Sequence, residues 1–436
     1  MAQASRRSKP PYHGEVAAGT ISQVEAPPRA FPLRLYPALG VRAYRQLWLG
    51  MLPATLAWQM NIVVTGYAAF QLSGSATALG LTSSAQGLPM LLLALIGGVV
   101  ADRLPRRTIL MCTQSLLGLS NLMVSVLALS HLLQVWHLVI FGLLQGTAIA
   151  FNMPARQAYI GHLMEGRLLR NAVALNSAGM NACRLLGPAI AGGLLAVPGV
   201  GVAGAYCVMT AMYAAVVASL IGLPDDSRTR QPGESRPPGW TELLEGVRYV
   251  GSEKVVRALL GLAVVILFFG QPFQQIMPVF SERIFHVGPG GLGALMTCFG
   301  VGAITGAVSV ASFSQSSRPA LLQLIFGTAF GLCLAVFALA PSFAMALAAL
   351  VLVGFNLAAY NALNNTMIMG NTEPRFYGRV MSIYQLTFAV SPFGALPLAW
   401  GVEHIGAPFS IAGAGLIVAA TVILVAVLYP PYRHIT

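Results

Sequence analysis

One arginine stands where arginine is rarely found. Arg184 lies near the middle of residues 170–197, a run otherwise built mostly of small and apolar residues with a few amides. If that run crosses a bilayer, a guanidinium at its centre costs roughly 3 kcal/mol or more, so it must face a protein interior or a wet cavity. There it could hold an anionic or phenolate-bearing solute. It could equally snorkel, or donate to the carbonyls freed by Pro188 and to Asn181. Side-chain amides form a second set: Gln59 and Asn61, Asn152, Asn176 and Asn181, Gln271, Gln274 and Gln275, Asn356, Asn361, Asn364 and Asn365, and Gln385. Amides in an apolar surrounding can bind a polar solute without charge, or tie helix to helix with bonds worth roughly 0.6 to 2 kcal/mol each. Trp58, Tyr67, Tyr360 and Tyr384 could stack a ring or simply pack. Trp136 and Trp400 fall near predicted outer ends and suit an interfacial belt.

The acids are informative by their placement. None of the thirteen carboxylates falls near the centre of an apolar run, and only Asp102 and Glu282, both at run ends, are placed to carry a proton. No Gly-rich phosphate loop followed by Lys-Ser or Lys-Thr occurs, no zinc spacing, and no Ser/His/Asp grouping with a domain to hold it. This excludes a built-in ATPase and argues against an enzyme; no metal or cofactor is expected. The five cysteines all fall in apolar runs and read as small packing residues.

The elements that must position these residues follow from composition. Of 436 residues, 56% are hydrophobic and 9% charged, against about 25% charged in soluble domains. Such a chain belongs in a bilayer. Twelve apolar segments are long enough to cross one: 46–71, 77–101, 108–130, 136–157, 170–197, 202–222, 256–281, 289–313, 319–340, 343–368, 378–402 and 407–429. Pro188 in the fifth, and Pro392 and Pro397 in the eleventh, read as kinks inside spans. With the N-terminus inside, cytoplasmic segments hold 23 of the 25 Lys and Arg; the exceptions are Arg184 and Arg283. The net charge of +12 is therefore a topology signal rather than a nucleic-acid footprint. Both termini are expected in the cytoplasm.

The organisation expected is a disordered basic arm (1–41), a six-helix bundle (42–222), a cytoplasmic linker (223–254), a second six-helix bundle (255–430) and a short tail (431–436). The arm lacks the apolar core of a signal peptide. Within the linker, Leu243, Leu244, Val247 and Val250 recur at helical spacing between Glu242, Glu245 and Arg248, which predicts an amphipathic helix on the membrane face. The halves repeat weakly at offsets of 208 to 213 residues: Phe151-Asn152 with Tyr360-Asn361, Glu165-Gly166-Arg167 with Glu373-Pro374-Arg375, and Gly80 and Gly87 with Gly293 and Gly300. Two related bundles are the layout of many secondary transporters.

The turn between the second and third segments packs one carboxylate and three arginines into six residues, Asp102-Arg103-Leu104-Pro105-Arg106-Arg107. A basic turn under the positive-inside rule explains the arginines but not Gly98 and Asp102 at this spacing. The stretch resembles the G-x-L-A-D-R-x-G-R-R loop of the major facilitator superfamily, with Val100 for the usual Leu and Pro105 for the second Gly. That resemblance implies an all-α membrane protein of twelve helices in two bundles. It also implies that Gly98, Asp102, Arg103, Arg106 and Arg107 form a cytoplasmic latch, with Arg156 as the candidate partner of Asp102 and the start of the eleventh span near Gly378 as a dipole contact. In this superfamily the first, fourth, seventh and tenth spans line the central cavity, which puts Gln59, Asn61, Asn152, Gln271, Gln274, Gln275, Tyr360, Asn361 and Asn364 on the solute pathway with Asn181 and Arg184. Gly187-Pro188-Ala189-Ile190-Ala191-Gly192-Gly193 resembles the G-P-x-x-G-G kink of the superfamily's drug/proton antiporters. Phe151 to Gln157, Asn171 to Ser177 and Arg184 to Pro188 resemble its enterobactin-exporter-like branch, which exports siderophores and other small molecules.

The expected protein is thus a monomeric secondary transporter of the inner (cytoplasmic) membrane. It exports a siderophore or drug-like solute against proton entry by alternating access, with the solute, the proton and the bilayer as its partners and no nucleic acid. Import of a polar metabolite and a non-transporting scaffold or sensor are the alternatives.

Overall fold

The computed structural model describes residues 37–164, 166–223, 239–313, 318–429 and 432. The expected arm up to residue 36, the turn-rich linker over 224–238 and all of the tail except Tyr432 lie outside the described residues. Pro37–Gly40 form a 3-10 turn. Six long helices follow: α1 (Arg42–Ser73), α2 (Ala76–Arg103), α3 (Arg106–Leu129), α4 (Val135–Leu163), α5 (Gly166–Ala196) and α6 (Gly201–Ile221). The amphipathic α7 (Gly239–Ser252) leads into a seventh segment made of α8 (Lys254–Val265), a π-turn, α9 (Phe273–Val279) and a second π-turn. Then come α10 (Gly288–Phe313), α11 (Pro319–Ala338) and α12 (Phe343–Gly370). The eleventh segment is α13 (Tyr377–Thr387), a 3-10 turn and α14 (Ser391–Ile405); α15 (Ala407–Leu428) is the last.

Local chemistry sets these boundaries. Gly74, at φ +64, closes α1 in the left-handed conformation, and the Ser75 side chain caps α2 by accepting from the Thr77 N–H. Ser342 caps α12 in the same way, and Pro319 opens α11 where its missing N–H is harmless. Pro188 is carried inside an unbroken α5, whereas the eleventh segment breaks into a 3-10 turn just before Pro392. The seventh segment is also broken, around Pro272, a feature its apolar pattern does not show.

The two halves pack alike. In each, the second helix runs against the fourth and the third against the sixth: α2 on α4 and α3 on α6, then α10 on α12 and α11 on α15. Glycine makes the crossings close. A Cβ on Gly97 would collide with the Ala150 carbonyl, and a Cβ on Gly306, at the matching place in the second half, with the Phe355 carbonyl. Inside a membrane helices gain little from hydrophobicity and associate through such contacts. Nine helices among the described residues are long and apolar enough to span a bilayer. The second, fifth and eleventh segments each also contact the opposite bundle, and the eleventh is divided by its 3-10 turn. The remaining outward surface is apolar, with Leu119, Phe409 and Leu428 each at least 66% exposed.

The linker helix α7 does not float free. Gly246 rests on Arg379 and Ile383 of α13, Glu245 pairs with Arg379 at 2.6 Å, and the Tyr249 ring stacks on Phe376 at 4.3 Å. Leu244 and Val247 stay exposed on its other side, as an amphipathic helix at a membrane surface requires.

The α11–α15 crossing gives a direct test of these packing rules. A Cβ on Gly331 would meet the Gly415 carbonyl and lie 2.7 Å from the Ala419 nitrogen, while nothing lies within 4 Å of one on Gly413. Gly331→Val is expected to cost about 1–3 kcal/mol and lower the thermal midpoint in detergent by several degrees. Gly413→Val should leave that midpoint unchanged. Equal midpoints for the two variants would refute close packing at this crossing.

Candidate functional site

The two bundles meet along two crossed pairs, α2 with α14 and α5 with α10. The end of the molecule that carries α7 is here termed the linker end and the opposite one the distal end. The contacts crowd the distal half. A Cβ on Gly80 would lie 3.1 Å from the Ala395 carbonyl oxygen, and one on Gly87 would lie 2.7 Å from Pro392 Cβ. The Ser84 hydroxyl donates to the Pro392 carbonyl at 3.0 Å. Across the other pair, Gly192 and Gly293 touch backbone to backbone, and a Cβ on Gly300 would lie 3.1 Å from Leu185 Cα. The four glycines matched between the halves, Gly80 and Gly87 with Gly293 and Gly300, therefore do the same work in each.

Two charged side chains of the second half fasten the distal rim. Arg283 donates to the Gly74 carbonyl and lies over the Phe70 ring at 5.0 Å. Glu403 accepts from the Ser75 hydroxyl and, at 3.0 Å, from the Thr77 N–H. The carboxylate thus sits on the N-terminus of α2, where the helix dipole favours an anion. Both fasteners grip the same α1–α2 turn.

At the linker end no glycine of one bundle touches the other among the described residues, while α7 contacts both α13 and α2. Would-be Cβ atoms on Gly98 of α2, Gly161 of α4, Gly370 of α12 and Gly378 of α13 all find open space within 4 Å. The space between the bundles is a cleft, shut distally and open toward the linker end. Gln271, Gln274, Gln275 and Asn361 are half-buried, with no hydrogen-bond partner for their amides among the described residues. That is the state of groups facing water. Arg184 is also exposed and without a partner among the described residues. On α5 it shares a face with buried Pro188, Ala191 and Leu195, opposite exposed Leu186. It adjoins Leu185, so the guanidinium enters the cleft where the seal begins.

Other residues singled out from the sequence are placed differently. Gln59 is 6% exposed and packs under Gly187, where a Cβ would lie 2.5 Å from its own. Asn61 is buried and accepts from Thr65, which also bonds the Tyr206 hydroxyl at 2.7 Å. Tyr360 and Asn364 are fully buried within the second bundle, where Asn364 accepts from Gln323 at 2.7 Å. None of these four opens onto the cleft in this state. Asn152 donates to Thr113 at 2.8 Å and, with Arg156, lines a separate cavity of about 70 Å³ inside the first bundle.

Of the charged loop, Arg107 binds the last carbonyls of α6, Leu220 at 3.0 Å and Ile221 at 2.6 Å. It staples one bundle rather than bridging two. Arg103 is exposed and Arg106 half-buried. The side chains of Asp102 and Asn181 lie outside the described residues. Arg156 donates to Asn176. Gly98, expected to matter, has room to spare, and its neighbour Gly97 is the tight one.

Sequence reasoning missed the distal fasteners Arg283 and Glu403, although Arg283 stood out as the one basic residue expected outside. Glu282, beside Arg283, has one buried carboxylate oxygen without a partner, and the Tyr67 hydroxyl lies against it.

Comparison with known proteins follows the fold. Residues 35–433 match the family model described as transmembrane secretion effector, a branch of the major facilitator superfamily. The chain is 26% identical over 359 residues to the multidrug efflux pump Tap of Mycolicibacterium fortuitum, covering 78% of this chain and 85% of that one. It is 24% identical over 370 residues to the enterobactin exporter EntS of Shigella flexneri, covering 84% and 82%. The crystal structure of a D-xylose–proton symporter shares the fold at a TM-score of 0.69 and 14% identity, covering 92% of this chain and 99% of that chain. These relatives are membrane transporters, not enzymes.

The seal can be tested by crosslinking. A chain carrying Ser75→Cys and Glu403→Cys should form an interbundle disulfide on mild oxidation. Adding Gly192→Leu, which drives a side chain into Gly293, should reduce the yield several-fold. An unchanged yield would show that the glycine contact does not hold the distal half shut.

Proposed function

Because the chain belongs to the transmembrane secretion effector family of the major facilitator superfamily, we propose that it exports a small siderophore-like or drug-like solute, taken up at the linker end and released distally. The linker end is cytoplasmic on this reading, since the positive-inside count assigns 23 of the 25 Lys and Arg of the sequence to the cytoplasmic side, and the membrane is the inner membrane of a bacterial-type cell. The carrying observation is the cleft, closed beyond Leu185 and open below it, with Arg184 and the amides of Gln271, Gln274, Gln275 and Asn361 unpartnered inside. Solute enters from the cytoplasm and contacts Arg184 at the head of the cleft. The bundles then rock: the glycine seal and the rim contacts of Arg283 and Glu403 release, and the linker end closes. In the closed form Asp102 latches the linker end against Arg156 and the α13 N-terminus near Gly378. In the present state Arg156 is held by Asn176, and open space surrounds Gly378. Proton entry drives the cycle, and one chain is the working unit.

Inside-out vesicles carrying the protein test this reading. Under an imposed proton gradient they should accumulate one class from a panel of catecholate, hydroxamate and cationic dye solutes. Arg184→Ala and Asp102→Asn should each cut that uptake at least ten-fold at equal membrane abundance. Uptake lost only in Asp102→Asn would leave a transporter whose Arg184 is structural. No gradient-dependent uptake in this orientation, with uptake in right-side-out vesicles, would make the protein an importer.

A further inference from the structure

At mid-depth, among the described residues, the cleft carries a cation and no acid. Arg184 marks that depth. Its neighbour Leu185 meets Gly300, which lies about 18 Å from the distal end of α10 and about 20 Å from the other. All thirteen carboxylates fall at segment ends or outside the apolar runs. Asp102 is one residue from the linker end of α2, about 20 Å from the level of Arg184. Glu282 and Glu403 lie beyond the seal. Four sides of α5 fix where the guanidinium points. Gly179 and Gly187 pack on Leu52 and Gln59 of α1, and Leu185 and Gly192 pack on Gly300 and Gly293 of α10. Leu186, 50% exposed, and Gly193, with open space around it, form the lipid side. Arg184 takes the remaining side, which Ala191 and Leu195 close off one and two turns further toward the distal end. It is exposed there and has no partner among the described residues, so the carbonyls near Pro188 do not hold it.

The wall across from it is polar and uncharged. Gln271, Gln274, Gln275 and Pro278 follow the spacing of a single helix face. That face looks to the first bundle: a Cβ on Gly66 of α1 would lie 3.6 Å from Pro278 and 3.9 Å from the Gln275 carbonyl oxygen. Gly270 sits on another side of the segment, against Phe330 of α11 and Val418 of α15. The amide groups of the three glutamines have no partner among the described residues, and none of their atoms is among the buried unpartnered ones, so they reach open space. The seventh segment holds no charged residue between Arg257 and Glu282, and α12, which carries Asn361, holds none at all.

From Arg184 exposed at mid-depth opposite the accessible amides of Gln271, Gln274 and Gln275, we infer that the cleft selects organic anions whose other polar groups are uncharged. Low-dielectric walls focus the field of an unneutralised cation into the space between them, which concentrates anions there and turns cations away. The guanidinium does not titrate near neutral pH, and its fork of N–H donors matches a carboxylate, sulfonate or phosphate. The glutamine amides offer both donors and acceptors to the neutral remainder of the solute. This assignment rests on the reading of the chain as a solute exporter and narrows its substrate class. The charge preference of the cleft is measured without any gradient, so its failure and the failure of export are seen separately.

The experiment places Gln271→Cys in the full chain, with the five native cysteines replaced by alanine, in detergent micelles at pH 7.5. Salt at 0.5 M confines the field of the exposed Lys and Arg at the linker end to roughly 5 Å. The cysteine is labelled with 2-sulfonatoethyl methanethiosulfonate, an organic anion, and with 2-(trimethylammonio)ethyl methanethiosulfonate, an organic cation. Each rate is divided by that of the same reagent with free 2-mercaptoethanol. The normalised anion rate should exceed the cation rate by about three-fold or more. Arg184→Gln should lower that ratio at least about three-fold, and Arg184→Lys, which keeps the charge, should preserve most of it. Arg184→Met takes the place of Arg184→Gln if the latter does not fold. A ratio below three with Arg184 intact, a ratio that survives loss of the charge, or no labelling by either reagent would each overturn the assignment. The unmodified chain supplies a second measurement: in inside-out vesicles, accumulation of a cationic dye in preference to the anionic solutes would overturn anion selection while leaving export standing.

Discussion

The rest of this structure depends on how closely two helices can approach when neither has a side chain in the way. Within a bilayer the hydrophobic effect does not press one bundle on the other, because lipid tails are as apolar as leucine. What holds the distal half shut is backbone contact at Gly192 and Gly293, Gly80 beneath Ala395, and Gly87 beneath Pro392. Dispersion at such contacts is dense but shallow, and it vanishes with a shift of an ångström or two. A seal of this kind is strong enough to exclude solute and weak enough to reopen. The polar contacts of Arg283 and Glu403 on one short turn add direction to it, fixing where the rim closes.

The same contact logic explains why the halves can share a pattern and differ in use. Their helix crossings correspond pair by pair, down to Gly97 and Gly306. Their interiors do not. The second bundle pairs Gln323 with both Tyr432 and Asn364, tying α11, α12 and Tyr432 together, although the Asn364 Nδ2 and the Tyr360 hydroxyl beside it stay unpartnered among the described residues. The first bundle leaves Gln114 and Trp58 unsatisfied around Arg156.

Much of this was legible in the sequence. Apolar run lengths and the one-sided placement of Lys and Arg give the segments and their order, because bilayer thickness and charge insertion act on composition alone. The offset of the halves picked out Gly80, Gly87, Gly293 and Gly300, all of which prove to be bundle contacts. Facing was not legible. Gln59, Asn61, Tyr360 and Asn364 sit on cavity-lining spans yet point into their own bundles, and Gln271 and Asn361 do not. The difference is a rotation of some tens of degrees about a helix axis, which apolar sequence on all sides cannot reveal. The broken seventh segment was hidden for the same reason, since a π-turn keeps the apolar composition and changes only the register.

The distribution of charge carries one more consequence. Every carboxylate lies at a segment end or outside the spans, while the cleft and the first-bundle cavity each hold an arginine, Arg184 and Arg156. A proton taken up in the cleft itself would have to displace charge from a guanidinium, which does not titrate near neutral pH. The carboxylates near the gates are instead Asp102 at the linker end and Glu282 and Glu403 at the distal rim. Glu403 belongs to the seal itself, and Glu282 lies beside Arg283 with one oxygen buried and unpartnered. Protonating a carboxylate that accepts hydrogen bonds across an interface removes the charge that strengthens them. On the proposed proton-coupled reading, uptake at such positions acts on the balance between closed and open rims, not on solute affinity. If export is proton-driven as proposed, coupling runs through the gates, and the cleft is left free to select its solute by charge and hydrogen bonding.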